Sequence, residues 1–346
     1  MAITINATPK DFAPVYNKME YLIESTNVAE PNFAYLVDIY INGSGTKTVR
    51  LRIPARPSDN KGKLDIHRVL ESALTSDIGD PTGTDGTYDA SNSSLSYIVK
   101  FGEEYGTTVV QYPDLTIDSS RKAFNASLEK RPFINWDVTE YEMDGITKKF
   151  LTNMPDNHKV SLNSHGWLYF IESNPLAITS VITFDSSGAT INAFKIDAST
   201  TSADIQFTPS SPASLNNIDN ANIILGAQPI ITSDVAYYEI YVGDPNEVSE
   251  TRTFVLEESC KYNTNTLIFQ NNLGAFDSFT FYLGDMSMTD IERKDMKVNV
   301  DTVVGNDIVY SMNEREKVTY YTKKSETIKL MSDWISEEDS NWLLEL

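Results

Sequence analysis

Cysteine is nearly absent: of 346 residues only Cys260 is one. A lone cysteine excludes an intrachain disulfide and a thiolate metal cage. Histidine is scarce, at three residues. No run of about 18 apolar residues occurs, which excludes a membrane-spanning helix. The opening Met-Ala-Ile-Thr-Ile-Asn-Ala-Thr lacks a basic stretch followed by an apolar one, so no signal peptide is expected. Bases are outnumbered 28 to 49, giving a net charge of −21. A surface that acidic excludes nucleic-acid binding through a broad basic face. What is plentiful is aromatic: 15 Phe, 18 Tyr and 4 Trp, within 40% hydrophobic residues. That much apolar material can bury a core, so wholesale disorder is excluded as well.

At roughly 150 residues per domain the length predicts two or three domains. Charge divides the chain unevenly. Residues 1–150 carry 21 acids and 16 bases, residues 151–240 carry 8 and 2, and residues 241–346 carry 20 and 10. The middle stretch is nearly free of bases and rich in Ser and Thr, as in many β-sandwiches. Three segments follow from this reading. They are an N-terminal β-rich domain with one short helix at 1–145, a Ser/Thr-rich sandwich at 146–245, and a C-terminal β-rich domain ending in a helix at 246–346.

Strand patterns fill the sequence. Residues 35–41 are β-branched and aromatic, Asn42-Gly43-Ser44-Gly45 follows, and residues 49–53 alternate apolar and basic. That is a hairpin with a glycine-containing loop. Asp65 reads as the cap of a short helix with Ile66, Val69, Leu70 and Ala73 on one face. Residues 77–95 are almost devoid of apolar side chains and read as a long loop. Strands are expected at 96–101, 107–112, 149–151, 160–162, 167–171, 178–184, 190–196, 204–207, 223–225 and 236–242. Further strands are expected at 253–256, 266–269, 279–283, 297–300 and 318–322. Ser336-Glu337-Glu338-Asp339 is a capping-box pattern opening a helix through Trp342, Leu343 and Leu346. No βαβ rhythm is visible, which disfavours a doubly wound α/β fold. The expected class is mainly β: two or more antiparallel β-sandwich-like domains with a few short helices, one of them C-terminal.

The catalytic inventory is poor. Gly43-Ser44-Gly45-Thr46-Lys47 lacks the Gly that a phosphate loop needs before its Lys and joins two strands, so it is a turn. His158 and His165 lie seven positions apart, on opposite faces of a regular strand, and are expected as exposed turn residues. Glu103-Glu104 and Glu257-Glu258 are adjacent and therefore point apart on a strand, which does not make an acid/base dyad. Cys260 is expected to pack as a small hydrophobe. Asp77, Asp80, Asp85 and Asp89 crowd the long loop, but their spacing is not that of an EF-hand. No metal, no cofactor and no enzymatic activity are expected.

Surface for a partner chain is the remaining signal. The C-terminal element supplies Trp334, Trp342, Leu343 and Leu346, either as a core cap or as an anchor. The loop carrying Asp77, Asp80, Asp85 and Asp89 is expected to order against a neighbouring subunit. Residues 267–281 read as an aromatic core hairpin turning at Asn-Leu-Gly.

Several segments resemble structural proteins of bacteriophages that infect Bacteroidetes. They are Pro31-Asn32-Phe33-Ala34-Tyr35 with Arg50-Leu51-Arg52-Ile53-Pro54, the 65–74 helix, and Phe150-Leu151-Thr152-Asn153 leading to Trp167-Leu168-Tyr169-Phe170. Cys260-Lys261-Tyr262 through Leu273-Gly274-Ala275-Phe276-Asp277-Ser278-Phe279 is the most specific, and Ser332-Asp333-Trp334-Ile335-Ser336 completes the set. Together they are most similar to the tail ring proteins of crAss-like phages. The resemblance implies a homo-oligomeric ring around the DNA exit channel of a virion tail, made in the host bacterial cytoplasm. Its implied partners are copies of itself and other virion proteins. It implies neither membrane insertion nor sequence-specific binding of nucleic acid, only passive contact with the genome. An acidic channel wall would repel phosphates and let DNA slide. The alternatives are a β-sandwich adhesin or glycan-binding module and, more remotely, a glycoside hydrolase.

Overall fold

A computed structural model of the chain describes residues 3–145, 147–172, 178–197, 204–243, 249–257, 264–298, 301–310, 315 and 317–346. Cys260 and Glu258 lie outside the described residues. The protein is mainly β, with a few short helices that include one at the C-terminus. It forms two compact units: Met1–Glu258 with Thr266–Thr280 and Trp334–Leu346, and Ser259–Asn265 with Phe281–Asp333. These are not consecutive segments. The Tyr88–Asp89 strand pairs with Ile205–Pro209, tying the residues before 145 to those after it.

The first unit opens with a sheet ordered Ala13–Pro14, Arg121–Phe124, Ser94–Tyr105, Ala34–Ile41, Val49–Ile53, with Val110–Ile117 also paired to Ser94–Tyr105. A three-stranded sheet of Thr4–Ala7, Glu20–Glu24 and Gly62–Asp65 shares its core. Alternation decides which residues enter that core. Tyr35, Val37 and Ile39 point inward, as do Tyr97, Val99 and Phe101, and Tyr21 and Ile23 meet them. The opposite face of the same strands carries charged pairs beside Leu36, Tyr40 and Ile98. Arg50 donates to both carboxylate oxygens of Asp38, and Arg52 pairs with Glu104. The expected hairpin is present, with Asn42 and Gly43 both at positive φ in its turn. In the short helix His67–Glu71, Asp65 accepts the His67 and Met19 amides, while Ile66 and Leu70 are buried. Asp65 is not the expected N-cap: it ends the Gly62–Asp65 strand, Ile66 holds the cap position without a side-chain hydrogen bond, and Ala73 is exposed rather than on the buried face.

A six-stranded sheet follows, ordered His158–Val160, Arg252–Leu256, Tyr237–Val242, Thr179–Phe184, Thr190–Ile196, Ile223–Leu225. Against it lies the three-stranded sheet Trp167–Ile171, Ile205–Pro209, Tyr88–Asp89. The Tyr238 hydroxyl donates to the Ser210 carbonyl and the Thr179 hydroxyl to Thr208, both within buried surroundings. Two pairings are parallel, Arg121–Phe124 with Ala13–Pro14 and His158–Val160 with Arg252–Leu256. The sheets are therefore mixed rather than uniformly antiparallel. Residues 149–151 are not a strand: Lys148 makes only an isolated bridge to Ser249, and the Leu151 amide reaches Tyr169.

The expected aromatic hairpin is Asn265–Gln270 with Phe276–Phe281. Asn271 closes its turn, its side-chain oxygen accepting the Leu273 and Ala275 amides. Gly274 is at φ +81°, and a Cβ there would lie 2.1 Å from the Asn125 carbonyl oxygen.

The second unit is built on two 15-residue strands, Leu283–Lys297 and Lys317–Met331, paired antiparallel from Leu283↔Met331 to Lys297↔Lys317. A smaller hairpin, Asp301–Val304 with Asp307–Tyr310, turns at Gly305. The short strand expected at 318–322 is thus part of a far longer one, and of the one expected at 297–300, residues 299–300 lie outside the described residues. The ribbon of two long strands mixes charge and apolar residues on both faces, so it lacks the one-sided alternation that marks a half-buried strand.

Candidate subunit interface

The C-terminal helix starts as its sequence dictates. The Ser336 hydroxyl accepts the Asp339 amide, and the Asp339 carboxylate accepts the Ser336 amide. Glu337, Glu338 and Asp339 lie in the first turn, where negative charge is favoured. The helix then turns Trp342 into its own unit, leaving it 3% exposed. The indole packs on Phe269 (5.4 Å between centroids), His158 (5.3 Å) and Phe279 (6.1 Å). Its Nε1–H donates to Asp277 Oδ2 at 2.8 Å, and the Thr152 hydroxyl donates to the same oxygen at 2.9 Å. One turn later Glu345 accepts Asn153 Nδ2 and the Asn272 amide on its two oxygens.

Trp342 is therefore a cap on its own core and offers nothing to a partner, which corrects its place among the interface candidates. Leu343 is half-buried, whereas Leu346 and Trp334 are exposed, Trp334 by 94%. The expected stripe is broken because the chain tightens into a 3-10 turn at Leu343–Glu345.

His158 is likewise not an exposed turn residue. It sits in a strand, buried against Phe254, Phe279 and Trp342, with Nε2 lacking a hydrogen-bond partner among the described residues. Burial pushes its pKa down to about 4, although Asp339 and the Ser278 backbone favour the charged form. Burial also raises the Asp277 carboxyl to about 6, against its hydrogen bonds from Asn271, Trp342 and Thr152. His165 is half-buried, its Nδ1 3.2 Å from the Ser214 hydroxyl.

The loop aspartates do not form a cluster. Asp77 clamps the loop base, its two oxygens taking the Asn92 amide (2.7 Å) and Asn92 Nδ2 (2.8 Å). Asp80 accepts the Thr82 amide and hydroxyl, which hold its carboxyl below the ordinary range. The Asp85 amide donates to the Tyr88 hydroxyl, and Asp89 lies in the strand that pairs with Gln206. Among the described residues, no group of His, Cys, Asp and Glu is arranged to hold a metal. The loop is built into its own unit rather than waiting for a neighbour. Asn217 and Asn222 donate to the Pro81 and Thr84 carbonyls, and Thr208 to Gly86. Gly79 lies so close to Trp167 that a Cβ would fall 2.1 Å from Cε2. Gly79→Ala is accordingly expected to destabilise the unit by about 1–3 kcal/mol, read as a lower urea midpoint at unchanged m-value. An unchanged midpoint would mean that the loop does not lean on Trp167.

Adjacent Glu103 and Glu104 point apart as expected. Glu103 accepts from Ser25 and Asn27, Glu104 from Arg52 and Gln111.

Among the described residues, many of the exposed large apolar side chains lie on the ribbon, which sequence reasoning missed. Met286, Met288, Ile291, Met296, Tyr320 and Ile328 are each roughly half exposed or more. Val303, Val304, Ile308 and Val309 are exposed on the smaller hairpin. The signal that could have found it is Val303-Val304-Gly305-Asn306-Asp307-Ile308, a two-residue Gly-Asn turn between apolar runs. Among the described residues each long strand pairs only with the other.

The first unit also carries a cleft of about 480 Å³. Trp136 and Tyr141, stacked 4.8 Å apart, contribute to its wall, with Asn135, Asn341 and Asp137 beside them. The Trp136 indole N–H is committed to the Phe12 carbonyl.

No protein-family profile and no curated protein matches the chain. Among solved structures, the crystal structure of Dpr2 Ig1-Ig2 in complex with DIP-Theta Ig1-Ig3 aligns over 96% of this chain and 99% of that chain. The identity is 9% and the TM-score 0.21. A likeness at that score carries no argument.

Proposed function

We propose that this protein is a structural subunit of a bacteriophage virion, a ring-forming tail protein around the DNA exit channel, with no catalytic role. The observation that carries the reading is the ribbon. An isolated two-stranded ribbon is marginal in water, and this one exposes apolar side chains along two 15-residue strands. Such surface fits a contact made only after assembly. Charge supports the same reading. The second unit holds ten acids and nine bases, so nearly all of the −21 belongs to the first unit. Ribbons can therefore approach one another without strong repulsion, while an acidic wall keeps DNA from sticking.

The test is sedimentation of the full-length chain. A discrete multimer, with copies found in the tail of the native particle by cryo-electron microscopy, is the expected result. A strict monomer at all concentrations, with no partner in native material, ends the reading. The cleft beside Trp136 and Tyr141 favours a second reading, a glycan-binding module. Polysaccharide binding that Tyr141→Ala abolishes, by a chain that stays monomeric, would select it.

A further inference from the structure

We propose that the ribbons of neighbouring copies join edge to edge, the Leu283–Lys297 strand of one chain pairing with the Lys317–Met331 strand of the next, into one closed β-barrel. The inference rests on the ring reading and names the contact that would close the ring.

Among the described residues, both outer edges of the ribbon have no strand paired to them over about 50 Å, at roughly 3.3 Å per residue. Open edges of that length are templates for another strand, and closure into a barrel removes them. The direction is right. Within one ribbon the two strands are antiparallel. Copies placed side by side in the same orientation then bring the second strand of one antiparallel to the first strand of the next. That contact is heterologous, and heterologous contacts that close make rings.

The charges favour this contact over the pairing of two second strands. The first strand carries Asp285, Asp290, Glu292 and Asp295 against Arg293, Lys294 and Lys297. The second carries Lys317, Lys323, Lys324 and Lys329 against Glu326 alone. Joining first strand to second sets a nearly balanced edge, with four carboxylates to offer, beside a lysine-rich one. Joining second to second sets lysines against lysines, which is unfavourable across a sheet. Lys297 and Lys317 already face each other within the ribbon, and carboxylates from a neighbouring first strand would offset that repulsion.

Two charge-reversed full-length chains test the proposal. One carries Lys323→Glu, Lys324→Glu and Lys329→Glu; the other carries Asp290→Lys, Glu292→Lys and Asp295→Lys. Each alone is expected to stay monomeric where the wild type assembles, because its two edges now bear like charge. An equimolar mixture is expected to recover multimers of alternating composition, read as mass by native mass spectrometry. All six residues are exposed, and an unchanged melting transition of the first unit confirms that each variant is folded. If both variants assemble alone as the wild type does, edge pairing is overturned while the ring reading stands. If mixing fails to recover assembly by variants whose circular dichroism matches that of the wild type, edge pairing is again overturned. If the wild type never assembles, the ring reading falls and this proposal with it.

Discussion

Trp342→Ala is expected to lower the stability of the first unit by about 3–5 kcal/mol, the range for deleting a large buried aromatic side chain. The loss has two parts. The cavity left among Phe269, Phe279 and His158 cannot collapse easily, because those residues belong to three separate strands. Asp277 also loses its indole donor, and an under-satisfied buried carboxyl adds roughly 1–3 kcal/mol. Trp342→Phe separates the parts: it restores most of the volume but not the donor, so its cost should fall between wild type and Ala. Chemical denaturation with the 222 nm circular dichroism signal measures each step. The folded fraction of either variant should still assemble through its ribbon. If Ala instead left the denaturation midpoint unchanged and abolished assembly, Trp342 would be an anchor for a neighbour and the core contacts described above would be without consequence.

What could be seen in advance follows from where the information lies. The Trp167–Ile171, Thr190–Ile196 and Ile223–Leu225 strands stand within the boundaries read from β-branched and aromatic runs. Thr179–Phe184 and Tyr237–Val242 each start one residue later than read. Local chemistry was equally legible at Ser336, where cap and box residue are three positions apart. The destination of Trp342 was not legible. Its neighbours Phe269, Phe279 and His158 are 63 to 184 positions away, and periodicity says nothing about which surface a stripe will meet. The loop from residue 77 misled for a related reason. Its polarity suggests disorder, but its backbone carbonyls are satisfied by Asn217, Asn222 and Thr208 from far along the chain. The ribbon escaped because strand patterns are usually recognised by one buried face, and this one has none.

The buried pair His158 and Asp277, both touching Trp342, predicts a pH response that single substitutions should unmask. Between about 4 and 6.5 the unfolded chain holds a proton on His158 that the folded chain does not. His158 therefore contributes stability that is full above 6.5 and is lost as pH falls toward 4. Between 3.8 and about 6 the folded chain holds a proton on Asp277 that the unfolded chain does not. Asp277 therefore contributes stability that is full below 3.8 and is lost as pH rises through 6. Each effect is on the order of 3 kcal/mol, at about 1.4 kcal/mol for each pKa unit. In the wild type the two slopes oppose one another across nearly the same window and largely cancel. Asp277→Asn leaves the His158 slope alone, so that variant should gain about 3 kcal/mol relative to wild type on going from pH 4 to 6.5. His158→Phe leaves the Asp277 slope alone and should lose a similar amount over the same interval. Subtracting the wild-type curve removes the contribution of the many surface carboxylates. Urea denaturation at half-unit pH steps reads both differences. Two difference curves that are flat, or that slope the same way, would show that His158 and Asp277 do not titrate as this buried site requires.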